Sequence, residues 1–170
     1  MSKINVTSIK ANEDTKTQLK QEIARAKEEV RILNEQYLYP KLEESKKEVF
    51  NSLETYFNGV GFDVERSGDS DLTASYGDQK IEIILSNNKI SVVHNRKEVE
   101  EIILSPRRNH RGSVSSTFHS GDKDPEISRL ELELKSLQKD ITNLKEINIY
   151  YHYSLGVDLD FSKVIANIFQ

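Results

Sequence analysis

The chain has 170 residues, with 24 Lys or Arg against 28 Asp or Glu, which gives a formal net charge of −4 at pH 7. This balance disfavours a protein that coats a polyanion with its whole surface. The absence of cysteine excludes disulfides, thiolate nucleophiles and cysteine-ligated zinc. No window approaches the roughly 18 apolar residues of a membrane span, and the N-terminus lacks the apolar core of a signal peptide. We therefore expect a soluble, cytoplasmic protein with no membrane partner.

The first third of the chain has a helical pattern. Residues 1–11 carry few signals and are predicted to form an N-terminal tail or a short edge strand. The segment 12–58 is predicted to be a helical arm, capped by Asn12 and kinked at Pro40, because proline inside a helix costs about 3 kcal/mol. Apolar residues before the kink alternate at intervals of four and three, which is the seam spacing of a coiled coil. These seam residues are Leu19, Ile23, Ala26, Val30, Leu33 and Tyr37.

The middle of the chain changes to a period of two, which is typical of half-buried strands. Within the module 59–104 we predict a four-stranded antiparallel meander over residues 60–66, 71–76, 79–85 and 89–94. Gly77-Asp78 and Asn87-Asn88 separate its later strands and suit tight hairpin turns. From Asn95 the sequence resembles a capping box, which predicts a short helix to Leu104.

Residues 105–123 are predicted to form a flexible basic loop. A connection of this length inside a compact domain is usually functional or disordered. Arginine side chains in such a loop suit contacts with acidic groups or phosphates, because guanidinium donates paired hydrogen bonds. The partner-binding residues predicted from this basic cluster are Arg96, Lys97, Arg107, Arg108 and Arg111. The alternative is a solvated loop whose arginines pair with nearby acids.

A second arm helix is predicted over residues 124–156. Asp124-Pro125-Glu126 supplies an N-cap, a proline at the first helical position and an acid in the first turn. Residues 147–155 also alternate with period two, so a strand there is the alternative. Residues 157–170 are predicted to form an amphipathic helix. The second seam follows spacings of three and four at Ile127, Leu130, Leu134, Leu137, Ile141 and Leu144.

The two seams have matched lengths, about 27 Å and about 26 Å at 1.5 Å per residue. The predicted fold class is therefore α+β. It consists of a long antiparallel, coiled-coil-like helical hairpin with the inserted meander and short covering helices. In that arrangement Tyr37 lies near Ile127 and Leu19 near Leu144. The alternatives are a homodimer in which each seam pairs with its copy, and ordinary core helices of one compact domain.

The first three predicted strands carry an excess of acids. The polar face of the sheet is therefore expected to be electronegative and to attract a basic partner surface, although an outward face kept soluble explains the same pattern. The acids are Asp63, Glu65, Asp69, Asp71, Asp78 and Glu82, against Arg66 and Lys80.

The histidines provide little sign of catalysis. No pair has metal-ligand spacing on a helix, and no metal or cofactor is expected. An enzyme would have to use His110, His119 and Asp122 in the basic loop.

These observations favour a non-enzymatic protein-binding adaptor, regulatory subunit or inhibitor, of bacterial or phage type. It would use the coiled-coil arm and a β-sheet head to bind another protein. The alternative function is nucleic-acid binding, with the basic cluster of residues 96–111 contacting phosphates.

Overall fold

The computed structural model describes residues 3–108 and 124–170 and confirms the α+β class. The described residues form two compact units. The helical unit contains residues 3–38 and 124–147, and the sheet unit contains residues 39–108 and 148–170. No helix in these ranges is both long and apolar enough to cross a bilayer.

Helical residues run without interruption for 54 residues, from Val6 to Gly59. They comprise α1 (Val6–Leu33), a π-helical turn (Asn34–Leu38) and α2 (Tyr39–Gly59). The prediction of a tail or an edge strand over residues 1–11 is therefore wrong from Val6 onward. The helix begins after Asn5, whose side-chain oxygen accepts a hydrogen bond from the Ser8 N–H at 3.0 Å, and not after Asn12.

Pro40 lies inside this helix and does not end it. An α-helical proline clashes with the carbonyl four residues earlier and leaves it without a donor. The π-helical turn directly before Pro40 widens the backbone where that carbonyl lies, which accounts for the continuity. The wider turn also moves the seam by one residue. Tyr37, predicted to be in the seam, is 49% exposed, whereas Leu38 is half-buried.

The second helix of the helical unit, α3, spans Pro125–Leu144. Asp124 caps it by accepting a hydrogen bond from the Glu126 N–H at 2.9 Å. Ion pairs join α3 to α1 in the same order along both helices: Lys16 lies 3.0 Å from Asp124, and Lys27 lies 3.2 Å from Glu133. The two helices therefore pack in parallel.

The predicted antiparallel hairpin is wrong for this reason. Tyr37 does not lie near Ile127, because the N-terminal half of α3 runs alongside the segment of α1 from Lys16 to Lys27. Antiparallel pairing follows when a short loop joins two helices. Here 19 residues, 106–124, connect β5 to α3. An extended chain of that length can reach about 60 Å, whereas α3 is about 30 Å long, so the connection does not dictate the direction of the second helix.

In the part of the chain that the structure describes, the sheet has seven antiparallel strands in sequential order, and the predicted four-stranded meander accounts only for its first part. The strands are β1 (Asp63–Ser67), β2 (Asp71–Tyr76), β3 (Gln79–Ser86), β4 (Lys89–His94), β5 (Lys97–Ser105), β6 (Tyr150–Tyr153) and β7 (Gly156–Asp158).

The short helix predicted from Asn95 to Leu104 is wrong, since this segment contains β5. Asn95 and Arg96 both have positive φ, 48° and 72°, and form the two-residue turn between β4 and β5. Such turns join antiparallel strands because their twist matches that of the sheet. The register shifts between Val92 and Val93, where β5 contains one extra residue, Val99.

The predicted helix 124–156 is too long at its C-terminal end. The strand alternative for residues 147–155 is the structure that forms, and Tyr150 pairs with Ser105 of β5. Tyrosine favours strands, where its ring packs against cross-strand neighbours. The C-terminal helix α4 spans Phe161–Ile168, shorter than the predicted 157–170. Asp160 caps it by accepting a hydrogen bond from the Ser162 N–H.

The core of the sheet unit lies between one face of the sheet and the helices α2 and α4. Every second strand residue points into it. The most deeply buried side chains, all under 2% exposed, include Phe50, Leu53, Leu72, Ile83, Ile90, Ile102, Val92 and Val164. Tyr151 also faces this core, and its hydroxyl bonds to buried Ser45. Burial raises the pKa of Tyr151 to about 12, because the charged phenolate is poorly solvated there.

Candidate protein-interaction surface

The structure does not gather the predicted basic cluster into one site. Arg96 and Lys97 lie at the turn that starts β5, whereas Arg107 and Arg108 follow its last residue. A nine-residue strand separates these ends by about 26 Å at 3.3 Å per residue. Arg111 lies outside the described residues.

The residues of the hypothetical enzyme site, His110, His119 and Asp122, also lie outside the described residues. Within residues 3–108 and 124–170, no three His, Asp or Glu side chains converge as metal ligands do. His152 is buried, and its Nε2 lies 2.7 Å from the Arg107 carbonyl oxygen, so this ring holds the chain just after β5 against β6.

The predicted seam residues lie on the helices that pair within one chain. The buried seam residues are Ile23, Ala26, Leu33, Ile127 and Leu130. The remaining seam residues apart from Tyr37 are half-buried: Leu19, Val30, Leu134, Leu137, Ile141 and Leu144.

A shallow groove of about 530 Å³ lies between α2 and α4. Its walls are mainly apolar, with small polar side chains and no charged residue. The lining residues are Asn51, Ser52, Thr55, Tyr56, Ser162, Ile165 and Ala166.

The second face of the sheet is a broader surface, which we call the open face. It presents the strand residues that alternate with the core residues. On β1 to β4 none of these outward residues is buried, whereas the inward Leu72, Ile83 and Ile90 are at most 1% exposed. This alternation is the pattern of a sheet with one covered face and one solvated face.

Strand register brings acidic side chains together on the open face. Cross-strand partners run from Glu65 through Thr73, Glu82 and Val93 to Glu98 in one row across five strands. Since neighbouring strands lie about 4.8 Å apart, the three glutamates of this row repeat at about 9.6 Å. We call Glu65, Glu82 and Glu98 the glutamate row.

The open face of β1 to β5 is strongly negative. It carries six carboxylates and two ammonium groups, a net charge of −4. Both lysines are already engaged: Lys80 lies 2.7 Å from Glu82, and Lys89 lies 3.2 Å from Glu101. The carboxylates are those of Asp63, Glu65, Asp71, Glu82, Glu98 and Glu101.

Apolar side chains lie among these charges. Ile84 is 40% exposed, and Val93 and Ile103 are half-exposed on the same face. A face that combines aliphatic contacts with uncompensated charge resembles the mixed composition of protein interfaces, in which apolar contacts accompany polar specificity.

Sequence reasoning identified only part of this surface. It missed Glu98 and Glu101, because β5 was predicted to be a helix. The signal available was the two-residue Asn95-Arg96 turn between two β-rich runs. It also placed Asp69 on the acidic face, whereas Asp69 pairs with Arg66, which in turn bonds Glu54 of α2 at 2.8 Å. These carboxylates raise the pKa of Arg66 and join the edge of the sheet to α2.

Comparisons with known proteins add no relative: no family model, curated protein or solved structure matches this chain.

Proposed function

We propose that the protein is a non-enzymatic protein-binding adaptor, regulatory subunit or inhibitor, and that its contact surface is the open face of the sheet. One observation carries the proposal. The inward Leu72, Ile83 and Ile90 are at most 1% exposed, yet none of the outward residues on β1 to β4 is buried. Ile84 remains 40% exposed in the middle of that outward side. A partner protein would cover these aliphatic groups.

The charge of the open face favours a basic partner. The glutamate row offers carboxylates at a regular spacing of about 9.6 Å. Within residues 3–108 and 124–170, Glu82 is the one member of this row with an ion-pair partner, Lys80. Arginine or lysine side chains of a partner with a matching repeat would each meet one carboxylate, and complementary charge sets specificity and association rate. The same field repels phosphates, so it supports protein binding and not nucleic-acid binding.

The paired helices α1 and α3 support a role as spacer or arm. Their seam residues face each other within one chain, so these side chains do not need a second copy of the protein to cover them. This pairing argues against a homodimer formed through the seams. It favours a helical pair that serves as a spacer or arm in a protein whose binding surface is the open face.

The spacing of the glutamate row can be tested with designed peptides. A polyproline II helix repeats every three residues and about 9.3 Å, so a labelled (Arg-Pro-Pro)5 peptide presents arginines at nearly the spacing of the row. A peptide of the same composition with its arginines in one block is the control. We expect tighter binding of the spaced peptide by fluorescence anisotropy, with affinity falling as salt increases.

Matched variants identify the surface. Replacement of Glu65, Glu82 and Glu98 by glutamine removes three charges from the open face and is expected to weaken binding of the spaced peptide about tenfold or more, since each exposed pair contributes up to ~1 kcal/mol. The control variant replaces Glu29, Glu43 and Glu44 by glutamine. These residues are exposed on α1 and α2, so the net charge changes by the same amount while the open face stays intact. Equal loss in both variants, or no preference between the two peptides, would contradict the proposal.

A further inference from the structure

The two edges of the sheet differ in how they are protected. The edge strand β1 carries Asp63, Glu65 and Arg66, and charged side chains are a common defence against edge-to-edge pairing. At the opposite edge, every second residue in and beside β7 is aliphatic. Val157 lies at the centre of the strand, and Leu155 and Leu159 lie just before and just after it. Leu155 is 71% exposed, Val157 41% and Leu159 54%.

The backbone of β7 is also oriented for further pairing. The two-residue turn Ser154-Leu155 is closed by the pair Tyr153–Gly156, which must exchange backbone hydrogen bonds. Antiparallel pairs alternate between bonded and non-bonded, so the next pair, His152–Val157, is non-bonded. The N–H and C=O of Val157 therefore point away from β6, towards the open edge. Among the described strands none pairs with that side of β7.

We propose that β7 is a homodimerisation edge, at which a second copy of this chain pairs antiparallel with it about a two-fold axis at Val157. The two Val157 residues then exchange both backbone hydrogen bonds, and the sheets of the two copies become continuous. Leu155 of each copy lies opposite Leu159 of the other, so apolar groups cover apolar groups.

The distribution of charge favours a second copy as the occupant. Asp158 is the only charged residue in β7. The two-fold pairing places it opposite Gly156 of the second copy, so no carboxylate faces another carboxylate. The same operation at β1, centred on Glu65, would oppose two glutamates, which is destabilising. A two-fold interface must be complementary to itself, and β7 meets that condition.

The small size of the contact sets the expected affinity. The contact consists of one three-residue strand and three aliphatic side chains from each copy. It buries less than the ~1,200 Å² of a standard stable interface, so we expect a weak, concentration-dependent dimer. Sedimentation velocity from about 5 to about 500 µM should show the monomer converting to a dimer as concentration rises. A monomer over the whole range would overturn the proposal.

Charge substitutions at the axis test the geometry. Val157→Lys and Val157→Glu each place like charges opposite each other, and each is expected to raise the dissociation constant of the homodimer at least about tenfold. An equimolar mixture of the two variants should recover a dimer, because lysine then faces glutamate; recovery also shows that both variants fold. Val99→Lys makes the same change at a 53% exposed residue of β5 and should leave the dimer intact. A dimer that persists in Val157→Lys would place the interface elsewhere, for example on α1 and α3, and would refute the proposal.

Crosslinking gives an independent readout because the chain has no cysteine. In a bonded antiparallel pair the Cα atoms lie about 5.5 Å apart, within the range that a disulfide spans. Val157→Cys should therefore form a covalent dimer under mild oxidation much faster than Val99→Cys. Equal rates for the two variants would count against an axis at Val157. This inference does not depend on the proposed function, since the peptide-binding assay does not involve the β7 edge.

Discussion

The helical unit and the sheet unit are stabilised in different ways. Each side chain under 2% exposed lies in the sheet unit, where Phe50, Phe57 and Phe161 fill the space between the sheet and its helices. In the helical unit the best-covered side chain is Leu130, at 3% exposure, and many seam residues are only half-buried. Two paired helices cannot enclose a residue on all sides, whereas a sheet covered by helices can.

Ion pairs are present in both units but at different places. The two helices of the helical unit are joined by ion pairs from Lys16, Lys20 and Lys27 of α1 to acids of α3. In the sheet unit, Arg66 joins α2 to the edge of the sheet, and the ion pairs of Lys80 and Lys89 lie on the open face, away from the core. We infer that the sheet unit depends mainly on apolar burial, and that the helical unit depends to a larger degree on contacts sensitive to salt and pH.

The largest effect is expected from a cavity in the sheet unit. Phe50→Ala removes a ring with no exposed surface and should lower the free energy of unfolding by about 4 kcal/mol. Urea denaturation followed by circular dichroism measures it. Tyr39→Ala, at a 53% exposed residue of the same helix, is the control and should change stability by less than about 0.5 kcal/mol. A similar cost for both variants would show that the core does not dominate.

A smaller loss is expected in the helical unit. Leu130→Ala truncates its best-covered side chain and should cost about 2 kcal/mol, the low end for such changes, because the half-buried neighbours can close part of the gap. Hydrogen exchange should show faster opening of amides in α1 and α3, with β2 to β4 unchanged. Leu132→Ala, on the same helix but 43% exposed, should leave exchange unaltered. Uniform acceleration over both units would remove the distinction between them.

Sequence patterns predicted the parts of the fold that local rules determine. The alternation around Leu72, Ile83 and Val92 placed β2 to β4, and the Asp124-Pro125 pair placed the start of α3. Rules of this kind failed where geometry depends on distant residues. The 19-residue connection permits α3 to run in either direction, and no periodicity encodes which direction forms. The Asn95-Arg96 turn needs positive φ at an arginine, which propensity disfavours, whereas the segment from Asn95 to Glu98 matches a capping box and so predicts a helix in place of β5.

The candidate surface shows the same division. Glu65 and Glu82 could be assigned to an acidic sheet face from their alternation alone. Glu98 joins them only through the register of β4 with β5, which cannot be read from the sequence. The predicted basic cluster shows the opposite case, in which residues that are close in sequence lie apart in the structure. Arg96 and Arg107 are close in sequence, but an extended strand separates them whereas a helix would have kept them closer.

The smallest effect, and the one most specific to the helical unit, concerns Lys16. Its ammonium group lies 3.0 Å from Glu13, 3.0 Å from Asp124 and 3.4 Å from Glu126. The contact with Lys16, followed by the Glu126 N–H, holds the pKa of Asp124 below its usual value. A lowered pKa adds stability that is present above the ordinary value of about 3.9 and is lost as pH falls through the value in the folded protein.

Lys16→Met should therefore reduce the thermal midpoint of the helical unit at pH 7 and low salt, and flatten its decline below about pH 4. Added salt should weaken the wild-type pairing of α1 with α3 but not that of the variant, because screening acts on the same charges that the variant lacks. Lys46→Met is the matched control: its side chain is 14% exposed against 13% for Lys16, but its ion-pair partner, Glu43, lies within the same helix of the sheet unit. If both variants respond equally to acid and salt, the ion pairs between α1 and α3 do not distinguish the two units.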